Sequence, residues 1–265
     1  MIMRKALICL GLIATCAATS RVQADFLVEY TGGHADMGLA IEADGSLFLH
    51  YHFGKGSAVL NGAVVGPLDE DEFAPGDAFV RVPDAAKFFP GIAVPFLGTG
   101  LSDPIWVLPQ ASTGGIPFFG YAAEEVPSGP GGFLSAGFRL TGFSGPAGGN
   151  FALWQSPAVG PANVLFRTID GLPPAPNVFN VGIGLHDHAN WGFSKEGVYN
   201  LTIEGFANPV GGGAQLTDTG VFTFAVGNAT AVPEPSSIAL IAFCGVGLIS
   251  IHRRLRKTNC NIATS

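Results

Sequence analysis

The 265-residue chain carries 20 acidic against 13 basic residues, a net charge of −7, and residues 25–231 alone hold 19 acidic against 6 basic, a balance of −13. A surface of that sign repels phosphate backbones, which excludes nucleic acid as a partner, while it suits divalent cations or plain solubility in an extracellular matrix. All four cysteines (Cys9, Cys16, Cys244, Cys260) lie outside residues 25–231, so that segment has neither disulfides nor thiolate chemistry and depends on a core.

Residues 1–24 read as a secretory signal peptide. Arg4-Lys5 precede an apolar run from Ala6 to Ala18, and Val22-Gln23-Ala24 is an Ala-x-Ala-like site with cleavage by signal peptidase expected before Asp25. A lipoprotein alternative through Cys16 lacks the small residue usually found just before such a cysteine.

From residue 25 to 231, short apolar or alternating runs are separated by Gly, Pro, Asn and Asp, with no sustained helical periodicity. Strands are expected at 26–30, 37–42, 46–53, 78–82, 105–108, 133–141, 151–155, 164–168, 178–186, 197–206 and 220–226. Their regular spacing predicts an all-β fold, an immunoglobulin-like, Greek-key β-sandwich. Two hairpins stand out: one across Ala43-Asp44-Gly45, and a closing pair of 198–203 with 221–226 across Gly211-Gly212-Gly213. Residues 61–100 read as a long connection, whose Asp69-Glu70-Asp71-Glu72 run fits a solvated turn better than a calcium loop.

The chain ends in Val232-Pro233-Glu234-Pro235, a 16-residue apolar run from Ser236 to Ile251, and His252-Arg253-Arg254-Leu255-Arg256-Lys257. A Pro-Glu-Pro break, one short apolar helix and a basic stop resemble the PEP-CTERM signal. That resemblance makes residues 232–257 a sorting and transmembrane segment, with 258–265 a short tail, and implies an exosortase partner in a Gram-negative bacterium. The expected course is export, a transient inner-membrane anchor, then the cell surface or extracellular matrix. The run is shorter than the ~20 residues that span a bilayer comfortably, with its basic residues obeying the positive-inside rule; a permanent single-pass tail is the alternative.

Apart from His252, the histidines fall in three segments: Gly33-His34-Ala35-Asp36, Leu49-His50-Tyr51-His52-Phe53 and Leu185-His186-Asp187-His188. Residues i and i+2 of a strand share a face, so His50 and His52 project together, and the same spacing recurs at His34 with Asp36 and at His186 with His188. Converging at one rim of the sandwich, His34, His50, His52, His186 and His188, supported by Asp36, would form a transition-metal site for zinc or copper. Five histidines exceed one tetrahedral zinc, so either some are outer ligands or the site holds two metals. The alternative is that the rings pack against aromatics and backbone carbonyls with no metal.

The runs GHADMGLAIEADGSLFLHYHF, PLDEDEFAPGDAFVRVP, WVLPQ and HDHANWGFSKEGVYNLTIEG resemble the choice-of-anchor M domain of bacterial surface proteins, over most of residues 25–231. The last run is also similar to a short repeat of actinobacterial wall-anchored proteins encoded with metal-type ABC transporters, here in a single copy. The resemblance implies a surface protein with a metal-related role and carries no established activity.

No enzyme motif appears: there is no His-Glu-x-x-His, no Gly-x-Ser-x-Gly and no phosphate-cradling loop. The His-x-His strand is locally similar to that of copper–zinc superoxide dismutase, without that family's paired cysteines or remaining ligands, and a cupin needs a Glu shortly after His52 that is not there. Glu124-Glu125 reads as a surface pair rather than a glycosidase acid and base, since adjacent strand residues point to opposite faces. The expectation is a non-catalytic, surface-directed protein with a histidine metal site. The alternative is a structural or adhesive module binding extracellular polysaccharide, for which Trp106, Trp154 and Trp191 could supply stacking faces, although all three sit in apolar, core-like stretches.

Overall fold

The computed structural model describes residues 27–172 and 177–229; the signal peptide and the C-terminal apolar segment lie outside them. Just over half of the described residues are strand and 3% helix, as the all-β expectation requires. The strands, in chain order, are β1 Val28–Gly32, β2 His34–Ile41, β3 Leu47–Phe53, β4 Val59–Leu60, β5 Ala63–Val64, β6 Glu72–Phe73, β7 Ala78–Val82, β8 Lys87–Phe88 and β9 Ile105–Leu108. They continue with β10 Phe118–Ala122, β11 Phe133–Ser144, β12 Phe151–Gln155, β13 Asn163–Arg167, β14 Val178–Val181, β15 His186–His188, β16 Asn190–Phe193, β17 Gly197–Pro209 and β18 Leu216–Val226.

Three sheets form. Sheet I has the order β14-β11-β17-β18-β7-β1-β4-β5, sheet II β15-β10-β2-β3-β6, and sheet III β13-β12-β16-β9-β8. One face of sheet I packs on both of the others: Phe222 of β18 meets Tyr51 of β3, and Phe224 meets Phe119 of sheet II and Trp191 and Phe193 of sheet III. Trp191 is fully buried at this junction and donates its indole N–H to the Phe119 carbonyl at 2.8 Å. The chain passes from the edge of sheet II into sheet III between His188 and Asn190, so the second layer of the sandwich is two sheets joined by a single residue.

Both expected hairpins form. Gly45, at φ 85°, closes the β2–β3 reversal, where Asp44 Oδ1 accepts from Ser46 N at 2.9 Å, and the register runs from Ile41↔Leu47 to Ala35↔Phe53. β17 and β18 pair from Gly197↔Val226 to Ala207↔Leu216. The remaining order includes three parallel pairings, β1 with β7, β7 with β18, and β2 with β10, which a two-sheet antiparallel immunoglobulin domain does not contain.

The structure corrects the sequence expectation at three places. Residues 178–186 are not one strand: β14 belongs to sheet I and β15 to sheet II, because Gly182 and Gly184 turn the chain between them, with Leu185 N donating to Gly182 O at 3.1 Å. Strands β10 and β16 were not expected, since Phe-Phe-Gly-Tyr-Ala and Asn-Trp-Gly-Phe carry a central glycine that reads as a turn. The acidic run is only half solvated: Asp69 and Glu70 are exposed, but Asp71 pairs with Lys55 at 3.1 Å and Glu72 enters β6 beside His52.

Trp106, Trp154 and Trp191 are all buried. Because Trp191 fills the junction of the three sheets, Trp191→Ala should cost about 3–5 kcal/mol of stability in denaturant titration. The exposed Val221→Ala on β18 should stay within about 0.5 kcal/mol of the parent.

Candidate metal centre

The face of sheet II turned away from sheet I carries the polar residues. Alternation along β2 sends Ala35, Met37 and Leu39 into the core and leaves His34, Asp36 and Gly38 outside; along β3 it buries Leu49, Tyr51 and Phe53 and leaves His50 and His52. The register then places Asp36 opposite His52 and Gly38 opposite His50, with Gly120 of β10 between Asp36 and His188 of β15. Ala122 of β10 lies opposite His186.

All six sequence-predicted residues therefore share one face, but the five imidazoles do not meet at one point. They gather in two groups: His34, His186 and His188, and His50, His52 and Glu125, each offering ligand atoms that lie within 4.8 Å of one another. Two strands separate the β15 pair from β3, and the rings reach only across the intervening β10. In the first group the ring centroids of His34 stand 5.6 Å from His186 and 5.2 Å from His188, and those of His186 and His188 are 5.6 Å apart.

Glycine makes room for these rings. A Cβ on Gly120 would lie 2.3 Å from Asp36 Oδ1 and 2.7 Å from the Asp187 carbonyl, and one on Gly38 would lie 2.7 Å from His50 Nε2. The Asp36 carboxylate and the His50 ring thus lie flat across bare backbone. His188 is fixed by stacking on Phe118, with centroids 3.6 Å apart and planes at 9°.

Two residues at the site were not singled out as ligands by the sequence. Glu124 and Glu125, expected to be a surface pair, are part-exposed, yet their opposite orientation delivers one carboxylate to each histidine group. Glu124 Oε1 lies 2.7 Å from His186 Nδ1, and Glu125 Oε2 lies 3.5 Å from His50 Nε2. The signal was the alternation rule itself, applied next to a strand that nobody would draw from Phe-Phe-Gly-Tyr-Ala. A carboxylate on Nδ1 orients the His186 ring and leaves Nε2 as the free donor atom, the arrangement that carboxylates give metal-bound histidines.

Several polar atoms here are buried with no hydrogen-bond partner: Asp36 Oδ1, His50 Nε2 and His188 Nδ1. Such atoms cost stability unless something pairs with them. Burial pushes the Asp36 carboxyl up to about 7, against the favourable pull of His186. Burial also takes His188 down to about 4, helped by His34 and His186, and His50 down to about 4. His34 is lowered for the same reason, and His186, bonded to Glu124, is raised. The rings of His188 and His50 are consequently neutral at physiological pH, the form that ligates metal. Three imidazoles with a carboxylate beside them suit zinc or copper, not the oxygen-seeking calcium or magnesium.

Residues 231–257 match the PEP-CTERM protein-sorting motif. That motif is the signal recognised by exosortase, so the chain is an exported protein, anchored transiently in the membrane and then processed. No curated protein and no solved structure matches the chain. Among the described residues no helix is long and apolar enough to cross a membrane.

Asp36 gives the metal-free site a defined pH response. Its folded pKa lies above its unfolded value, so its contribution to stability is complete below about pH 3.8 and is lost as pH rises through about 7. In chelator, Asp36→Asn should therefore gain stability over the parent progressively from pH 4 to pH 8, reaching on the order of 2–3 kcal/mol, as measured by denaturant titration across that range.

Proposed function

We propose that this protein is a non-catalytic β-sandwich, directed by exosortase sorting to the cell surface or extracellular matrix of a Gram-negative bacterium. There it holds a zinc or copper ion through His34, His186 and His188. Asp36 and Glu124 act behind the ligands, orienting the rings and supplying negative charge. The observation that carries the reading is the convergence of three imidazoles from β2 and β15 over the bare backbone of Gly120, with buried lone pairs left unpartnered.

Three protein ligands leave a coordination position open, and the group lies on a sheet face where His186 is exposed and His34 and His188 are half-buried. Such a site suits capture and release of an ion better than a closed structural one. The excess negative charge of the exported domain raises the local concentration of cations. The resemblance to choice-of-anchor M domains, and of the 186–193 segment to repeats encoded with metal transporters, supports the same role. An adhesive module finds less support, because its tryptophan stacking faces are in the core.

Equilibrium dialysis of the purified exported chain against zinc and copper tests the proposal. His188→Ala should abolish uptake at the three-histidine site, and Glu124→Gln should weaken it by roughly 10–100-fold. Absence of stoichiometric uptake by the parent would end the reading, and glycan-array binding that persists in chelator would favour the adhesive module instead.

A further inference from the structure

His50 is in a deadlock that no neutral imidazole can resolve. The residue is 1% exposed, and its ring is stacked on Phe48 with centroids 4.9 Å apart. Its Nδ1 faces the Phe48 carbonyl oxygen at 3.3 Å and its Nε2 faces Glu125 Oε2 at 3.5 Å. Both neighbours are acceptors. A neutral ring has one N–H, so in either tautomer one nitrogen lone pair points at an oxygen lone pair. Protonating both nitrogens would satisfy the geometry, but burial opposes a charged ring.

A cation on the Nε2 side satisfies every group. Nδ1–H then donates to Phe48, which fixes the tautomer as a backbone carbonyl commonly does for a metal ligand. The Nε2 lone pair and the Glu125 carboxylate turn to the ion, and His52, whose ring centroid lies 5.9 Å from that of His50, brings a nitrogen within 4.8 Å of both. We infer that His50, His52 and Glu125 bind a second transition-metal ion, separate from the ion of the three-histidine group, so that this face of sheet II carries two ions per chain. The inference rests on reading the face as metal-binding.

The backbone is built for this second position. Ile41 N donates to Glu125 O at 3.3 Å, and Glu125 bridges Ala40 in parallel, which ties the residue to β2 two positions along from Gly38, the partner of His50. Gly38, lacking a Cβ, lets the ring of His50 extend from β3 across β2 toward it. Two imidazoles and one carboxylate form a donor set that zinc accepts with a fourth position open, and nitrogen ligands disfavour calcium and magnesium. Asp71 Oδ2 stands 3.9 Å from His52 Nε2, behind the ligand, as Glu124 stands behind His186. Asp36 lies between the groups in the register Gly120, Asp36, His52.

The test is zinc stoichiometry of the purified exported chain by elemental analysis after dialysis, with cobalt(II) absorption to report the ligand field at each site. The parent should hold two ions, Glu125→Gln and His188→Ala one each, and the double variant none. Glu125 is part-exposed, so its substitution leaves the core intact, and the cobalt spectrum remaining in Glu125→Gln should be that lost in His188→Ala. A parent that holds one ion, unchanged by Glu125→Gln but removed by His188→Ala, overturns the second site and leaves the first standing. Two ions retained in Glu125→Gln and in His50→Gln also overturn it, and a parent that binds none ends both readings.

Discussion

The two-residue period of β2 and β3 governs the rest of the molecule. With the hairpin fixed by Asp44 and Gly45, the buried row Ala35, Met37, Leu39 pairs with Phe53, Tyr51, Leu49, and burial of that row against sheet I holds the register. His34, Asp36, His50 and His52 are then obliged to share the opposite face. A slip of β3 by one residue would turn His50 and His52 toward sheet I and Leu49, Tyr51 and Phe53 away from it, so the hydrophobic energy that folds the sandwich also positions the ligands.

What the pleat positions, small residues and carboxylates refine. Gly38 and Gly120 leave bare backbone where a methyl group would collide with His50 and Asp36. The adjacent Glu124 and Glu125, just after β10, turn to opposite sides and serve one histidine group each. The metal-free fold tolerates the outcome at a cost: an Asp36 carboxyl raised to about 7, and lone pairs of His50 and His188 with no partner. Three unpartnered buried atoms side by side on one face, Asp36 Oδ1, His50 Nε2 and His188 Nδ1, fit a place arranged for something other than stability.

Much of this was legible in the residues. The His-x-His and His-x-Asp spacings, the turn at Asp44-Gly45 and the long closing pair β17–β18 follow from local rules about strands and turns. The separation into two groups does not, because it depends on which strand lies between β15 and β2. That strand, β10, was invisible: its central Gly120 reads as a break, and only the tertiary position of Asp36 above it explains why glycine stands there. Glu124 and Glu125 were read as a surface pair because adjacent strand residues point to opposite faces, the same divergence that sends one carboxylate to each histidine group. The parallel pairings of β1, β7 and β18 are likewise non-local, joining residues near 30, 80 and 225 through core burial that no window of sequence displays.

The sorting motif at residues 231–257 marks an exported chain, and the proposed metal role rests on its histidine face. The most direct measurement is anomalous diffraction at the zinc edge from crystals of the exported chain grown with zinc. The account predicts a peak within about 2.0–2.2 Å of ring nitrogens of His34, His186 and His188. Those three rings hydrogen-bonded only to water or protein, with no anomalous density between them, would contradict it.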